Sequence, residues 1–358
     1  MTISFPGLGI PEFTLNPIAI PFGDGGIRWY ALFIVTGMII AMIYCTLRAK
    51  SEGIVPDTML DFAIFAIPAS IIGARLYYVF FDWLDAIVNH QPNPYKSFKD
   101  VIAIWEGGLA IYGGIIFGAI AVILVAKFKK LSGRQLLKIT DAAAPAVMIA
   151  QAIGRWGNFF NGEAYGTPTA LPWRMCSSKF AYKLYGQGLI DSETKSLMLD
   201  GTLGVHPTFL YESLWNVLGF VLINLIYKKK RFDGQILLTY VAWYGLGRTF
   251  IELLRTDSLT NGNGIRISSL LGLLSFIVAG SLLLYFFLKY KGNQSFGPIS
   301  PATALATESD NDTVEENDEE VLEEAEAAFD SPPENNETEN QENINNNNCE
   351  ETNDGKID

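Results

Sequence analysis

The stretch Leu136-Leu137-Lys138-Ile139-Thr140-Asp141-Ala142-Ala143-Ala144-Pro145-Ala146-Val147-Met148-Ile149-Ala150-Gln151-Ala152-Ile153-Gly154-Arg155-Trp156-Gly157-Asn158 decides the fold. It is the weakest of seven long apolar segments, because it carries Asp141, Pro145 and Gln151. The others lie at about 29–47, 58–82, 104–126, 207–227, 234–254 and 266–288. Each is close to the roughly 20 residues that a bilayer core requires. Basic residues cluster at Arg48/Lys50, Lys127/Lys129/Lys130/Arg134, Lys228/Lys229/Lys230/Arg231 and Lys289/Lys291. Cytoplasmic loops collect such charge, and all four clusters fall on one side only if residues 136–158 also span. Seven crossings then put the N-terminus outside and the C-terminus in the cytoplasm.

Composition agrees with this reading. Of 358 residues, 49% are hydrophobic, and they are grouped in blocks, which points to a polytopic membrane protein of all-α class. The formal charge of −12 belongs to the C-terminal end. From residue 301 onward there are 20 acidic residues and one lysine, leaving a balance of +7 in residues 1–300. That end is rich in Asp, Glu, Asn, Ser and Pro and cannot bury enough apolar surface to offset its ordering entropy. We therefore expect a seven-helix transmembrane domain at 1–292, with an extracytoplasmic substructure at 159–206, and a disordered acidic cytoplasmic tail at 293–358. The proline-rich N-terminus reads as an ordered arm and not as a cleaved signal peptide. Cys45, Cys176 and Cys349 stand in three different settings and suggest neither a disulfide framework nor a metal site.

With the topology set, polar groups gather at one depth. The fourth segment continues into Phe159-Phe160-Asn161-Gly162-Glu163-Ala164-Tyr165-Gly166, so Arg155, Asn158, Asn161 and Glu163 lie at its outer end. Tyr244, Arg248, Glu252 and Arg255, spaced by four, four and three residues, share one face of the sixth segment. Tyr112 in the third, His206 before the fifth, Arg75 in the second and Trp29-Tyr30 at the start of the first also fall in the outer half. A charged group inside a membrane costs roughly 2.5–3.5 kcal/mol on insertion scales, which makes it a candidate for function.

Other readings stand beside these. Arg155 and Arg255 can snorkel to the headgroups, Trp29 and Tyr30 suit an interfacial belt, and His206 before Pro207 can simply start a helix. The glycine pairs at 107–108 and 113–114 suit close helix packing. Asp141 reads as structural or as a partner of Lys138, and Glu252 as the ion-pair partner of Arg248. Arginines beside amides and tyrosines in a water-poor site are suited to an anion with several oxygens. In the outer leaflet the abundant candidate for such an anion is a phospholipid headgroup.

Residues 154–163 resemble the defining motif of the bacterial prolipoprotein diacylglyceryl transferases. Residues 105–114, 206–212 and 244–255 resemble that family's other blocks in order, and Trp29-Tyr30 resembles the start of its first helix. The resemblance implies transfer of the diacylglyceryl group of phosphatidylglycerol to the lipobox cysteine of a preprolipoprotein, with release of glycerol-1-phosphate, in the bacterial cytoplasmic membrane. It assigns Arg155, Asn158 and Glu163 from the central motif, Arg248 and Glu252 from the sixth segment, and Tyr30 and Tyr244. The expected partners are the lipid, the signal peptide and the bilayer, with no nucleic acid; no cofactor or metal is expected, since arginines can supply the positive charge.

Tyr112 departs from the family, which commonly has a histidine there, proposed as the base that activates the thiol. A phenol titrating near 10 is a poor base for a thiol near 8.5. Either Tyr112 donates a hydrogen bond to the lipid phosphate, or the base lies elsewhere, with Glu163 the first candidate and His206 the second. The alternative to the transferase is a transporter or flippase of an anionic lipid. That class commonly shows internal repeats and midplane polar sites, neither of which is visible here. A phospholipid hydrolase lacks support from any Gly-x-Ser-x-Gly elbow or metal-ligand cluster.

Overall fold

The computed structural model describes residues 1–22, 25–104, 107–257 and 266–290. Its helices are α1 (Trp29–Ser51), α2 (Pro56–Val88), α3 (Phe98–Ile102), α4 (Ile111–Phe128), α5 (Gly133–Asn161), α6 (Ser178–Gly186), α7 (Ser192–Leu199), α8 (Thr208–Tyr227), α9 (Gln235–Leu254) and α10 (Ile267–Lys289). Short antiparallel pairs are formed by β1 (Thr2–Phe5) with β2 (Ile10–Thr14), β3 (Ile18–Phe22) with β4 (Gly25–Arg28), and β5 (Pro168–Thr169) with β6 (Gly204–Val205). The expected acidic tail, Cys349 and the residues Trp105 and Glu106 lie outside the described residues.

Among the described residues, six helices are long and apolar enough to cross a membrane: α1, α2, α4, α5, α8 and α10. The protein is an α-helical multi-pass membrane protein. The sixth apolar segment forms α9, which is as long as α8, but Gln235, Arg248 and Glu252 hold its apolarity below that of the six. Its position explains this composition, since α9 packs against α10, α5 and α8 and so meets protein on three sides.

The weak fourth segment has the same explanation. The helix α5 packs against α1, α8 and α9, and Asp141 and Pro145 are fully buried within it. A capping box of Ser132 with Gln135 starts α5, and Gly162 in the left-handed region (φ 64°) ends it. Asp141 pairs with neither Lys138 nor another residue of α5. Its carboxylate accepts the backbone N–H groups of Gly234 (2.8 Å) and Leu237 (2.9 Å), and Lys230 Nζ lies 3.5 Å away. The two partners on α9 are out of reach of any sequence-local reading.

Helix α4 packs along α2, where Gly113 allows close approach: a Cβ there would stand 2.3 Å from the Gly73 carbonyl oxygen. A cluster including Ala49, Met59, Phe62, Val125, Ile139 and Ala142 joins α1, α2, α4 and α5 near the basic loops.

At the opposite end of the bundle, residues 159–206 fold together with the N-terminal arm into a head. Ser4 and Cys176 exchange backbone hydrogen bonds of 3.0 and 2.9 Å, and Ile3 enters a core with Tyr165, Met175, Phe180, Leu184 and Val205. Phe159 from α5 and Phe209 from α8 stack at 4.6 Å and belong to the same core. The Thr167 N–H bonds the Leu254 carbonyl at the end of α9 (2.8 Å). The head therefore ties together the ends of the three helices that carry the polar residues. Ile3→Ala, which opens a cavity at a side chain with 0% exposure, is expected to destabilise the head by about 2–5 kcal/mol. Hydrogen exchange at Cys176 and Val205 will report it as lost protection.

Candidate active site

Glu212, in the second turn of α8, is the centre of the polar end. Only 5% of it is exposed, and its carboxylate meets Arg155 Nη2 at 2.5 Å, Arg255 Nη1 at 3.1 Å and Arg248 Nη1 at 3.5 Å. Arg248 also pairs with Glu252, one turn on, at 2.8 Å. Glu252 is 1% exposed, and Arg266 at the start of α10 donates to its backbone carbonyl. Arg255 forms a two-pronged pair with Asp257, both contacts 2.9 Å. Three guanidiniums thus share two buried carboxylates. A buried carboxylate without such partners would be strongly destabilising, which accounts for the density of arginines here.

The guanidiniums are not sealed off. The side chains of Arg155 and Arg248 are 21% and 19% exposed, so each keeps an edge that a ligand can reach. A cavity of about 10 Å³ beside Arg248, room for about one water, is lined by Glu212, Asn216, Tyr244 and Arg248 among others. Tyr244 and Arg248 thus share one cavity wall. Below it, Gln151 donates to the Tyr240 hydroxyl (3.1 Å).

A second group forms where α5 ends. Asn158 and Asn161 both donate to Glu163 Oε1, at 2.9 and 3.2 Å. The left-handed turn at Gly162 is what folds Glu163 back toward Asn158, whose carbonyl accepts the Glu163 N–H at 3.1 Å. The ring of Tyr30 packs directly on Gly157, where a Cβ would stand 2.8 Å from it. Tyr30, Asn158, Asn161 and Glu163 therefore assemble around the same helix end as Arg155.

His206 precedes α8, and its Nδ1 lies 3.1 Å from the Tyr211 hydroxyl, which also accepts from Trp173 Nε1 at 2.6 Å. Burial lowers the pKa of the imidazole below its ordinary value.

Two expected residues are not gathered with the rest. Arg75, expected at the headgroup, is buried and donates to the carbonyls of Asp100 (2.7 Å), Val101 (2.8 Å), Gly107 (2.7 Å) and Gly108 (3.0 Å). It shapes the segment leading into α4. Tyr112 stands on α4 with its ring 6.5 Å from that of Tyr77, and no hydrogen bond among the described residues joins it to the arginine cluster. Conversely, sequence reasoning left out Glu212 and treated Arg255 as a snorkelling residue. The signal for Glu212 was present, since a carboxylate in an early turn of an apolar helix is costly unless paired.

The fold and this site define a multi-pass helical membrane protein with an arginine-rich pocket at one end of its bundle. Residues 17–285 match the family model for prolipoprotein diacylglyceryl transferase. A Listeria welshimeri relative is 39% identical over 291 residues, covering 80% of this chain and 96% of its own length. One from Streptococcus pyogenes serotype M1 is 42% identical over 266 residues, covering 74% and 92%. Both carry the name phosphatidylglycerol--prolipoprotein diacylglyceryl transferase. The chain belongs to the prolipoprotein diacylglyceryl transferase family.

His206 yields a test of the head. A lowered folded-state pKa means that the unfolded chain binds the proton more readily. Its contribution to stability is then full above the ordinary value of about 6.5 and is lost as pH falls below that. Thermal unfolding should show this fall, and His206→Gln should flatten the slope in that window.

Proposed function

We propose that this protein transfers the diacylglyceryl group of phosphatidylglycerol to the thiol of the lipobox cysteine in preprolipoproteins, releasing glycerol-1-phosphate. The observation that carries the reading is the sharing of Glu212 by Arg155, Arg248 and Arg255, in a chain whose relatives bear that transferase name. The family assignment leaves the transporter alternative without support.

In the reaction the thiolate sulfur attacks the glyceryl carbon that bears the phosphate. An S–C bond forms, the C–O bond to phosphate breaks, and its electron pair goes to the phosphate oxygen. Arg155 and Arg248 hold the phosphodiester through their open edges and stabilise that growing charge, a preorganised electrostatic effect that is commonly the largest in catalysis. Glu212 holds the guanidiniums together against their mutual repulsion, and Glu252 orients Arg248. Asn158 and Asn161 orient Glu163, which takes the thiol proton and passes it on to the departing phosphate or to water. Tyr30 and Tyr244 line the headgroup. Tyr112 donates a hydrogen bond from the facing helix once lipid is bound.

The same reading gives seven crossings, with α9 as the crossing enclosed by its neighbours, and the N-terminus outside. The basic loops following α1, α4 and α8 share the end of the bundle opposite the head. That arrangement supports a cytoplasmic side for the loops and an extracytoplasmic side for the head and site in the bacterial cytoplasmic membrane. The catalytic domain is residues 1–292, and the acidic residues 293–358 are not part of it.

Purified protein incubated with phosphatidylglycerol and a lipobox peptide should yield a diacylglyceryl mass increment on the cysteine and free glycerol phosphate. Absence of both from folded protein would sink the reading. Arg248→Lys removes the two-pronged geometry and should lower turnover about a hundredfold. At Tyr112 the informative pair is Phe and His: Phe is expected to lose activity and His to retain it. Full activity in Tyr112→Phe would remove the residue from the mechanism.

A further inference from the structure

Asp141 takes no part in the site described above, yet it is completely buried and both its oxygens are engaged. Oδ2 accepts the N–H of Gly234 at 2.8 Å, and Oδ1 that of Leu237 at 2.9 Å. Gly234 is the N-cap of α9 and brings no side chain to that task. A residue of α5 therefore caps α9, its negative charge at the positive end of the helix dipole. Lys230 Nζ lies 3.5 Å from Oδ2 and 2.6 Å from Glu52, just past the end of α1, which secures the same point to a third helix.

This pin fixes one point along two helices that run in the same direction, from the basic loops toward the head. Arg155 stands 14 residues beyond Asp141, and Arg248 stands 14 residues beyond Gly234. At 1.5 Å per residue both arms measure about 21 Å. The two guanidiniums therefore arrive at the same level, where the single Glu212 carboxylate touches both. A slip of one helical turn would offset them by about 5.4 Å and change the geometry in which the two meet one phosphate. Apolar contacts are non-directional, whereas hydrogen bonds are directional; beside the Gln151–Tyr240 side-chain bond, those of Asp141 are the α5 contacts that grip backbone N–H groups at the start of α9 and so bear directly on its axial position.

We propose that Asp141 is a positioning residue for the transfer reaction: by capping α9 from α5, it sets the axial register that brings Arg248 level with Arg155. The proposal rests on the reading of those two arginines as the phosphate holders. Two changes probe it in the full-length purified enzyme. Asp141→Asn keeps one acceptor and loses the charge; Asp141→Glu keeps the charge and lengthens the arm.

The test is a double-mutant cycle with Arg248→Lys, following kcat and KM with phosphatidylglycerol and a lipobox peptide. Asp141→Asn is expected to lower kcat/KM at least tenfold in the native background and less than threefold once Arg248 is lysine, because a misplaced lysine has little left to lose. Asp141→Glu should recover part of the rate. The same loss in both backgrounds, or no loss in folded Asp141→Asn protein, would overturn the positioning role alone. A native rate in Arg248→Lys by itself would overturn the phosphate-holding reading, and this proposal with it. Failure of both Asp141 variants to give folded enzyme would make the residue a determinant of the fold and likewise overturn the proposal.

Discussion

One carboxylate among three guanidiniums organises this protein. Glu212 reaches Arg155 on α5 and Arg248 and Arg255 at the far end of α9, so three helices must present their polar residues at one level. In a membrane interior the alternative is an uncompensated charge, which makes the arrangement close to all-or-none. Much of the remaining structure keeps those helix ends in place. The head joins them through the Phe159–Phe209 stack and the Thr167–Leu254 hydrogen bond, and the opposite ends meet at Asp141 and Lys230.

That requirement also explains the composition of the helices. The two least apolar of the long helices, α5 and α9, are also enclosed by neighbours, while the lipid-facing surfaces of α1, α2, α4 and α10 carry exposed Ile, Leu and Phe. Polarity is placed where protein replaces lipid as the surroundings. Asp141, Pro145 and Gln151 weaken the fourth segment as a hydropathy signal for that reason, and the same holds for Gln235, Arg248 and Glu252 in the sixth.

The two sides of the bundle are built differently. Around α5, α8 and α9 the guanidiniums, amides and carboxylates are already in mutual contact. On the α2–α4 side, Arg75 is committed to four backbone carbonyls and Tyr112 rests near Tyr77. The polar groups around α5, α8 and α9 are thus preorganised, the condition under which electrostatic stabilisation acts most effectively.

A good part of this was legible in the sequence. Block length and loop charge mark the helices and their common polar end, and the spacing of Tyr244, Arg248, Glu252 and Arg255 puts them on one face because helical periodicity is a local property. The motif at residues 154–163 marks the candidate site, and the Arg248–Glu252 pair follows from one turn of helix. Which helix rotates its polar face toward which neighbour, and at what axial offset, is not local. So Glu212 as the common partner, Arg75 as a loop clamp and Asp141 as the cap of α9 emerged only from the tertiary structure. Each of these contacts joins residues 25 to 96 positions apart in the chain, and its existence depends on packing that no periodicity encodes.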